Sequence, residues 1–339
     1  MTDINWKELS FGYIKTDYNV RCYFKNGQWG NIEKSTSEEV NIHMAATCLH
    51  YGQEAFEGLK AFRGKDDKIR IFRWEENAKR LRNSAEAIMM ELVPDDIFKK
   101  AVFEAIKLNE KFIPPYGTGG SLYIRPLLIG TGARVGVKPA DEYLFMIFVT
   151  PVGPYFKEGF KPVKMQIVRD FDRAAPLGTG HVKIGGNYAA SLRSSERAHD
   201  EGFASCMFLD AKTKTVIDEA GPANFFGIKN NTYITPKSHS ILPSITNMSL
   251  RALAEDLGLK VEEREIKVDE LATFEEAGAC GTAAVISPIG MIQDRETGTT
   301  YTFGDGVNAG QWSEKLYTRL RAVQYGEESD KFGWCEVVE

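Results

Sequence analysis

The sequence predicts a protein of two domains built from mixed α and β elements, of α+β or α/β class. Three observations predict it. At 339 residues the chain is long enough for two separate cores. Strand patterns and helical periods interchange along its length. Three prolines and two glycines crowd into residues 151–162, between two strong strand patterns, and mark a linker. The expected division is a small N-terminal domain over residues 1–153, a linker over 154–162 and a larger domain over 163–339. A chain that is 43% hydrophobic and 26% charged has the composition of a soluble globular protein rather than a disordered one. The net charge of −5 supplies no basic field for nucleic acid or an anionic membrane, so a small molecule is the expected partner. No apolar run reaches the roughly 18 residues that span a bilayer, and the N-terminus lacks the basic and apolar regions of a secretory signal. The cysteines, Cys22, Cys48, Cys206, Cys280 and Cys335, form no Cys-x-x-Cys pair and leave an odd one over, the pattern of reduced thiols in a cytoplasm. The scattered histidines have no metal spacing, and no metal is expected.

The elements follow in order. Residues 21–29 alternate around Asn26-Gly27, the signal of a tight hairpin. Residues 50–64 are dense in glycine and aromatics (Tyr51, Phe56, Phe62) and suit either a core or a pocket wall. A strand is expected at 68–72. A helix is expected from Glu75 to Leu92, with Ala78, Leu81, Ala85, Ile88 and Met89 on one face and Arg80 and Ser84 on the next. A second helix runs from Asp95 or Asp96 to about Phe112, ahead of Pro114-Pro115. In the strand 121–129, Tyr123 and Arg125 share a face. An arginine there needs a partner, either a carboxylate ligand or an internal acid. Residues 130–139 form a glycine-rich loop carrying Val137, and residues 142–150 are apolar enough to be buried on both faces.

Beyond the linker, Gly178-Thr-Gly180-His-Val-Lys183-Ile-Gly185-Gly186-Asn-Tyr188 sets one lysine among small residues, just before a helix over 187–201 that stops at Gly202. Its glycines leave the backbone open to close approach by a planar group. Such a lysine serves as a point charge for a phosphate or as a nucleophilic amine. Short strands follow at 204–209, 215–219, 224–228 and 232–235, and either Asp218 or Glu219 is expected to face the site. Residues 241–247 lead into a helix over 248–257, capped by Thr246 or Asn247, whose free N–H groups can hold an anion. A strand at 261–268, a short acidic helix, a buried strand at 279–288 and a final amphipathic helix at 311–324 complete the chain.

A nucleophilic lysine, a buried acid, an anion-binding helix start, two arginines and aromatics together match what pyridoxal 5'-phosphate requires. The motifs Phe56-Glu57-Gly58-Leu-Lys-Ala-Phe-Arg63-Gly64, Tyr123-Ile-Arg125-Pro, Pro151-Val-Gly153-Pro154-Tyr155, Val182-Lys183-Ile-Gly-Gly186-Asn187-Tyr188, Leu242-Pro243-Ser-Ile-Thr246 and Gly281-Thr282-Ala283 resemble, in order, those of the branched-chain amino acid aminotransferases. These are fold-type IV pyridoxal-phosphate enzymes.

The resemblance implies a small α/β domain, a larger domain with a pseudo-barrel of strands, a homodimer, and transamination of leucine, isoleucine and valine with 2-oxoglutarate. It implies that Lys183 carries the cofactor and moves the proton. Tyr188 would hold the ring oxygen and Glu219 the pyridine nitrogen, with Arg80, Ile245, Thr246 and Thr282 on the phosphate. Substrate would meet Tyr123, Thr282 and Ala283 through its α-carboxylate, and Phe56, Tyr155 and Tyr188 through its side chain. Arg125 would meet the distal carboxylate of glutamate, while Tyr51 and the Val137 loop reach toward a neighbouring subunit. Ser244 stands where the family often has glycine. Ala284 and Ser287 replace the Cys-x-x-Cys of the eukaryotic branch, which implies a bacterial-type enzyme without a thiol switch there. The rivals are a D-amino acid aminotransferase, an aminodeoxychorismate lyase, or a non-catalytic phosphate- or nucleotide-binding module.

Overall fold

The computed structural model describes residues 4–154 and 159–339. It divides into two compact units: Met1–Tyr155 with Val182–Gly185 and Ala322–Glu339, and Phe156–His181 with Gly186–Arg321. Residues 182–185 and 322–339, which the expected boundary assigns to the second domain, therefore pack with the first unit.

The first unit is a nine-stranded antiparallel sheet with helices against it. Its strands are β1 (Asn19–Lys25), β2 (Gln28–Trp29), β3 (Glu33–Ser35), β4 (Glu54–Phe56), β5 (Leu59–Arg63), β6 (Ile69–Phe72), β7 (Ser121–Gly130) and β8 (Tyr143–Val152), joined by the C-terminal strand Cys335–Val337. The order runs from the C-terminal strand through β6, β5, β7, β8 and β1 to β2, with β3 on β1 and β4 on β7. The expected hairpin is present: Asn26 and Gly27 both take positive φ between β1 and β2. The helices are α1 (Thr47–Tyr51), α2 (Trp74–Ala87) and α3 (Asp95–Leu108). Ala78, Leu81 and Ala85 of α2, with Phe98, Val102 and Ile106 of α3, bury against Ile71, Leu122, Ile124, Phe145 and Ile147 of the sheet. α2 ends earlier than its apolar period suggests. Ile88 leaves helical geometry yet still packs, partly buried, against the core, whereas Met89 takes φ 55° with 70% of its surface exposed and is not core.

The second unit carries β9 (Val163–Val168), α4 (Gly185–Asp200, whose first residue belongs to the other unit), β10 (Ser205–Leu209), β11 (Ile217–Ala220), β12 (Ala223–Lys229), β13 (Thr232–Pro236), α5 (Ile245–Asp256), β14 (Lys260–Arg264), β15 (Glu276–Gly281), β16 (Val285–Asp294) and β17 (Thr300–Thr302). The order β11-β10-β9-β16-β15-β12 closes on itself through a β11–β12 pairing, which makes a six-stranded barrel. β13 and β14 extend the sheet from β12. Closure requires rings to cross the wall closely: an added Cβ at Gly278 would strike the Phe226 ring, and one at Gly227 the Phe274 ring. The last helix, α6, spans Gln311–Gln324.

Two expectations are corrected here. The predicted single strand at 279–288 is a hairpin, with Gly281 paired to Val285 across a turn at 282–284. α5 starts at Ile245 rather than 248. Its N-cap is Ser244, whose Oγ accepts from the Asn247 N–H, and neither Thr246 nor Asn247 caps it. The mixed α and β class stands, with the barrel in the second unit. No helix among the described residues is long and apolar enough to cross a membrane.

Candidate active site

In the first unit the chemistry gathers around Lys183. Its backbone is pinned on both sides: its carbonyl accepts from the Phe56 N–H (3.1 Å), and its N–H donates to Ser84 Oγ (2.9 Å). Ser84 in turn donates to the Arg80 carbonyl one helical turn back. The face of α2 formed by Asn77, Arg80 and Ser84 is buried although polar, and its partner is Glu57, which has no exposed surface. Arg80 Nε and Nη2 donate to the two Glu57 oxygens at 2.7 Å each, and Asn77 Nδ2 donates to Oε2 at 2.7 Å. Such a two-pronged, fully bonded pair is the form in which buried charges are tolerated.

The Lys183 amine lies 4.8 Å from the Phe56 ring centre. Burial, followed by the nearby Arg80 guanidinium, pushes its pKa down to about 8, with Glu57 acting in the opposite sense. A substantial neutral fraction near neutral pH is what a nucleophilic amine needs. Arg125 stacks its guanidinium 4.8 Å from Phe56 and 5.3 Å from Tyr123, and Nη2 donates to the Tyr123 hydroxyl (2.9 Å). Gly58 makes room for that hydroxyl, since a Cβ there would collide with it. The internal acid considered as a partner for Arg125 is not found: no ion pair to it occurs among the described residues, and its buried Nε has no hydrogen-bond partner. The glycines beside Lys183 serve a different purpose from the one expected. A Cβ at Gly185 would meet the Glu54 carboxylate, and in the second unit one at Gly180 would meet the Ser240 carbonyl, so protein atoms fill those spaces. Gly186 alone of the three has open space around it.

In the second unit Asp218 and Glu219 have different partners. Asp218 is held by two hydroxyls, Ser238 Oγ (3.0 Å) and Ser240 Oγ (2.5 Å). Glu219 accepts at Oε1 from the Leu242 N–H (2.7 Å) and Asn224 Nδ2 (3.4 Å), and its Oε2 lies 3.4 Å from Arg173 Nε. Leu242 precedes the start of α5, so the acid is tied to the segment that delivers Ile245 and Thr246, both buried. Thr282 and Ala283 sit in the turn joining β15 and β16, two residues past Cys280, which is paired with Asn224 across the barrel wall. Tyr188 is half-buried in the first turns of α4.

The structure thus brings Lys183, Arg80, Phe56, Tyr123 and Arg125 together in one unit, and Glu219, Ile245 and Thr246 in the other. Tyr51 and Val137 stand apart: Tyr51 donates to the Val135 carbonyl, and Val137 is 82% exposed. Tyr155 lies outside the described residues. Sequence reasoning missed Glu57 and Arg173. A charged residue inside the aromatic and glycine run 50–64 was the available signal for Glu57. Arg173 stands in a polar loop with no periodicity to single it out.

A mixed two-unit fold with a six-stranded barrel and a desolvated lysine amine defines a class of enzyme that works through amine chemistry, and the chain belongs to the class IV amino-transferase family, whose profile matches residues 54–292. It is 47% identical over the full length of both chains to a branched-chain-amino-acid aminotransferase of Haemophilus influenzae. It is 48% identical to one of Helicobacter pylori, with 98% of each chain covered. Among solved structures, that of the Escherichia coli branched-chain amino acid aminotransferase superimposes with a TM-score of 0.80 at 27% identity, covering 96% of this chain and all of that one.

Proposed function

We propose that this chain is a branched-chain amino acid aminotransferase that uses pyridoxal 5'-phosphate to exchange the amino group of leucine, isoleucine or valine with 2-oxoglutarate. The observation that carries the mechanism is the Lys183 amine, with its pKa pushed down to about 8 among protein atoms. The donor set fits the cofactor. An amine with a lowered pKa suits an aldehyde, a carboxylate held by donors suits a ring nitrogen, and the start of the twelve-residue helix α5 suits a phosphate. When bound, the cofactor supplies the electron sink that makes the substrate's α-proton removable.

The residues of the chain do the rest. Lys183 would provide the amine that holds the cofactor, and its Nζ would take and return the substrate's α-proton. Glu219, held by its own donors, would face the ring nitrogen and favour its protonated form. Arg80, with two of its donors committed to Glu57, meets phosphate from a fixed position, together with Thr282 and the N–H groups of Ile245 and Thr246. Tyr188 holds the ring oxygen. By the family resemblance, Tyr123, Thr282 and Ala283 would hold the substrate α-carboxylate, Phe56 and Tyr155 would meet its side chain, and Arg125 would bind the second carboxylate of glutamate. An apolar pocket separates leucine, isoleucine and valine by only ~1–3 kcal/mol per methylene, so activity on all three is expected.

We also propose a homodimer working in a cytoplasm. Exposed apolar side chains on the Tyr51 and Val137 segments support it: Met44, Leu49, Val135 and Val137 are 83%, 57%, 88% and 82% exposed. Purified enzyme offered L-leucine, D-alanine and aminodeoxychorismate in parallel, with 2-oxoglutarate present, should turn over L-leucine alone at a substantial rate. Preference for either of the other two would overturn the assignment.

A further inference from the structure

The acid that the proposed function places on the ring nitrogen is the end of a one-way chain of hydrogen bonds crossing the barrel wall. Tyr233, fully buried, donates its hydroxyl to Asn247 Oδ1 (2.9 Å). Asn247 Nδ2 donates to Asn224 Oδ1 (3.1 Å) and to Thr235 Oγ1 (2.8 Å). Asn224 Nδ2 donates to Glu219 Oε1 (3.4 Å) and to the Leu242 carbonyl (3.0 Å). Thr235 passes its own proton to the Phe225 carbonyl (2.7 Å), so it cannot send the chain backwards. Behind Tyr233 lies the Cys280 thiol, hydrogen-bonded to it and held protonated by burial, with its pKa pushed up to about 12.

Each side-chain amide has its oxygen accepting and its nitrogen donating, so neither can be flipped without breaking bonds at both ends. The direction decides the consequence. Donors arrive at Glu219 Oε1 from Asn224 and from Leu242, and the arrangement is satisfied only when that oxygen is an acceptor. Asn247 also stands at the third position of α5, its backbone N–H donating to the Ser244 cap, so the same residue ties the acid to the helix start through its side chain and backbone.

We propose that Asn224 and Asn247 are positioning residues that hold Glu219 aimed while locking the first turn of α5, so that ring nitrogen and phosphate are gripped as one unit. The inference rests on the pyridoxal-phosphate function proposed above. By analogy with residues that orient metal ligands, their loss should cost roughly tenfold or more in cofactor affinity.

The test uses Asn224→Asp and Asn247→Asp, which keep size and remove the donor, and Tyr233→Phe, which removes one hydroxyl and keeps the ring stacked on Phe226. Ser238→Ala is the matched control, since it removes a bond to Asp218 instead. For each protein, the Kd for pyridoxal 5'-phosphate and the pH midpoint of the visible band are measured. The two Asp variants should bind about tenfold more weakly or worse with a displaced midpoint, Tyr233→Phe should change in the same sense by less, and Ser238→Ala should match the wild type. Should an Asp variant fail to fold, Tyr233→Phe decides alone, and wild-type values for it would overturn the proposal. So would Asp variants with unchanged affinity and midpoint, or a control that loses as much. A wild-type protein that takes up no pyridoxal 5'-phosphate would instead overturn the function on which the proposal stands.

Discussion

Lys183 owes its proposed reactivity to two neighbours whose effects point the same way: apolar surroundings that disfavour the ammonium and an arginine that repels it. Because its pKa in the folded protein is lowered to about 8, the unfolded chain binds more protons than the folded one between about pH 8 and the ordinary lysine range. The contribution of Lys183 to the stability of the cofactor-free protein should therefore rise with pH across that window, while buried thiols such as Cys280, whose pKa is raised, contribute in the opposite sense. Lys183→Met should raise the thermal midpoint at pH 7 and flatten the rise, as followed by circular dichroism from pH 7 to 10. A difference between the wild-type and Lys183→Met midpoints that stays constant over the window would contradict the lowered pKa. Arg125 offers a second residue-scale prediction. Its guanidinium, stacked on Phe56 with Nε unsatisfied, is placed for an added carboxylate. Arg125→Gln should lower kcat/KM for glutamate by about tenfold or more while affecting leucine far less, since a hydrogen bond to a charged group contributes ~1.5–3 kcal/mol. Equal losses would remove Arg125 from that role. At this scale Lys183 was legible as a candidate only when its small neighbours were read together with the acid, the helix start and the arginines. The environment that tunes it was not, because Glu57 and Arg80 are 23 residues apart and no local pattern pairs them.

Among the elements, α5 shows most directly how one residue sets a boundary. Ser244 caps the helix, so the turn begins earlier than the apolar spacing alone suggests and frees the N–H groups of Ile245 and Thr246. Ser244→Ala should lower stability by about 1 kcal/mol and weaken cofactor retention, as read by denaturant unfolding and by dialysis of the holoenzyme. Unchanged values in both would contradict the cap's role. The strands β1 and β7, read from alternation, and β8, read from its continuous apolar run, were legible, as was α3. The hairpin of β15 and β16 was hidden because residues 276–294 are apolar almost throughout, and the turn at 282–284 lacks the Asn-Gly signature that marks the β1–β2 turn. The barrel's closure was not legible from the residues either, for it depends on β11 pairing with β12, and short strands carry no mark of a ring; the family resemblance supplied it.

At the scale of the whole molecule, the chain leaves the first unit, builds the barrel, and returns. Trp74 Nε1 donates to Glu336 across 262 residues of sequence, and the strand Cys335–Val337 completes the edge beside β6. The polar tail past Gly326 reads locally as a loose end, and only its distant partners make it a strand. Deleting residues 335–339 should lower the thermal midpoint by a few degrees, as expected for ~1–2 kcal/mol in a protein of this size; no change would show that the strand is dispensable. Replacing both Val135 and Val137 with glutamate should shift the proposed dimer toward monomer in sedimentation, and a wild-type protein that sediments as a monomer would refute the dimer. The attachment of the cofactor is the point on which the mechanism turns. Borohydride reduction of the holoenzyme, followed by peptide mass mapping, should place the pyridoxyl mass on Lys183; finding it on another lysine such as the buried Lys60, or on none, would contradict the mechanism.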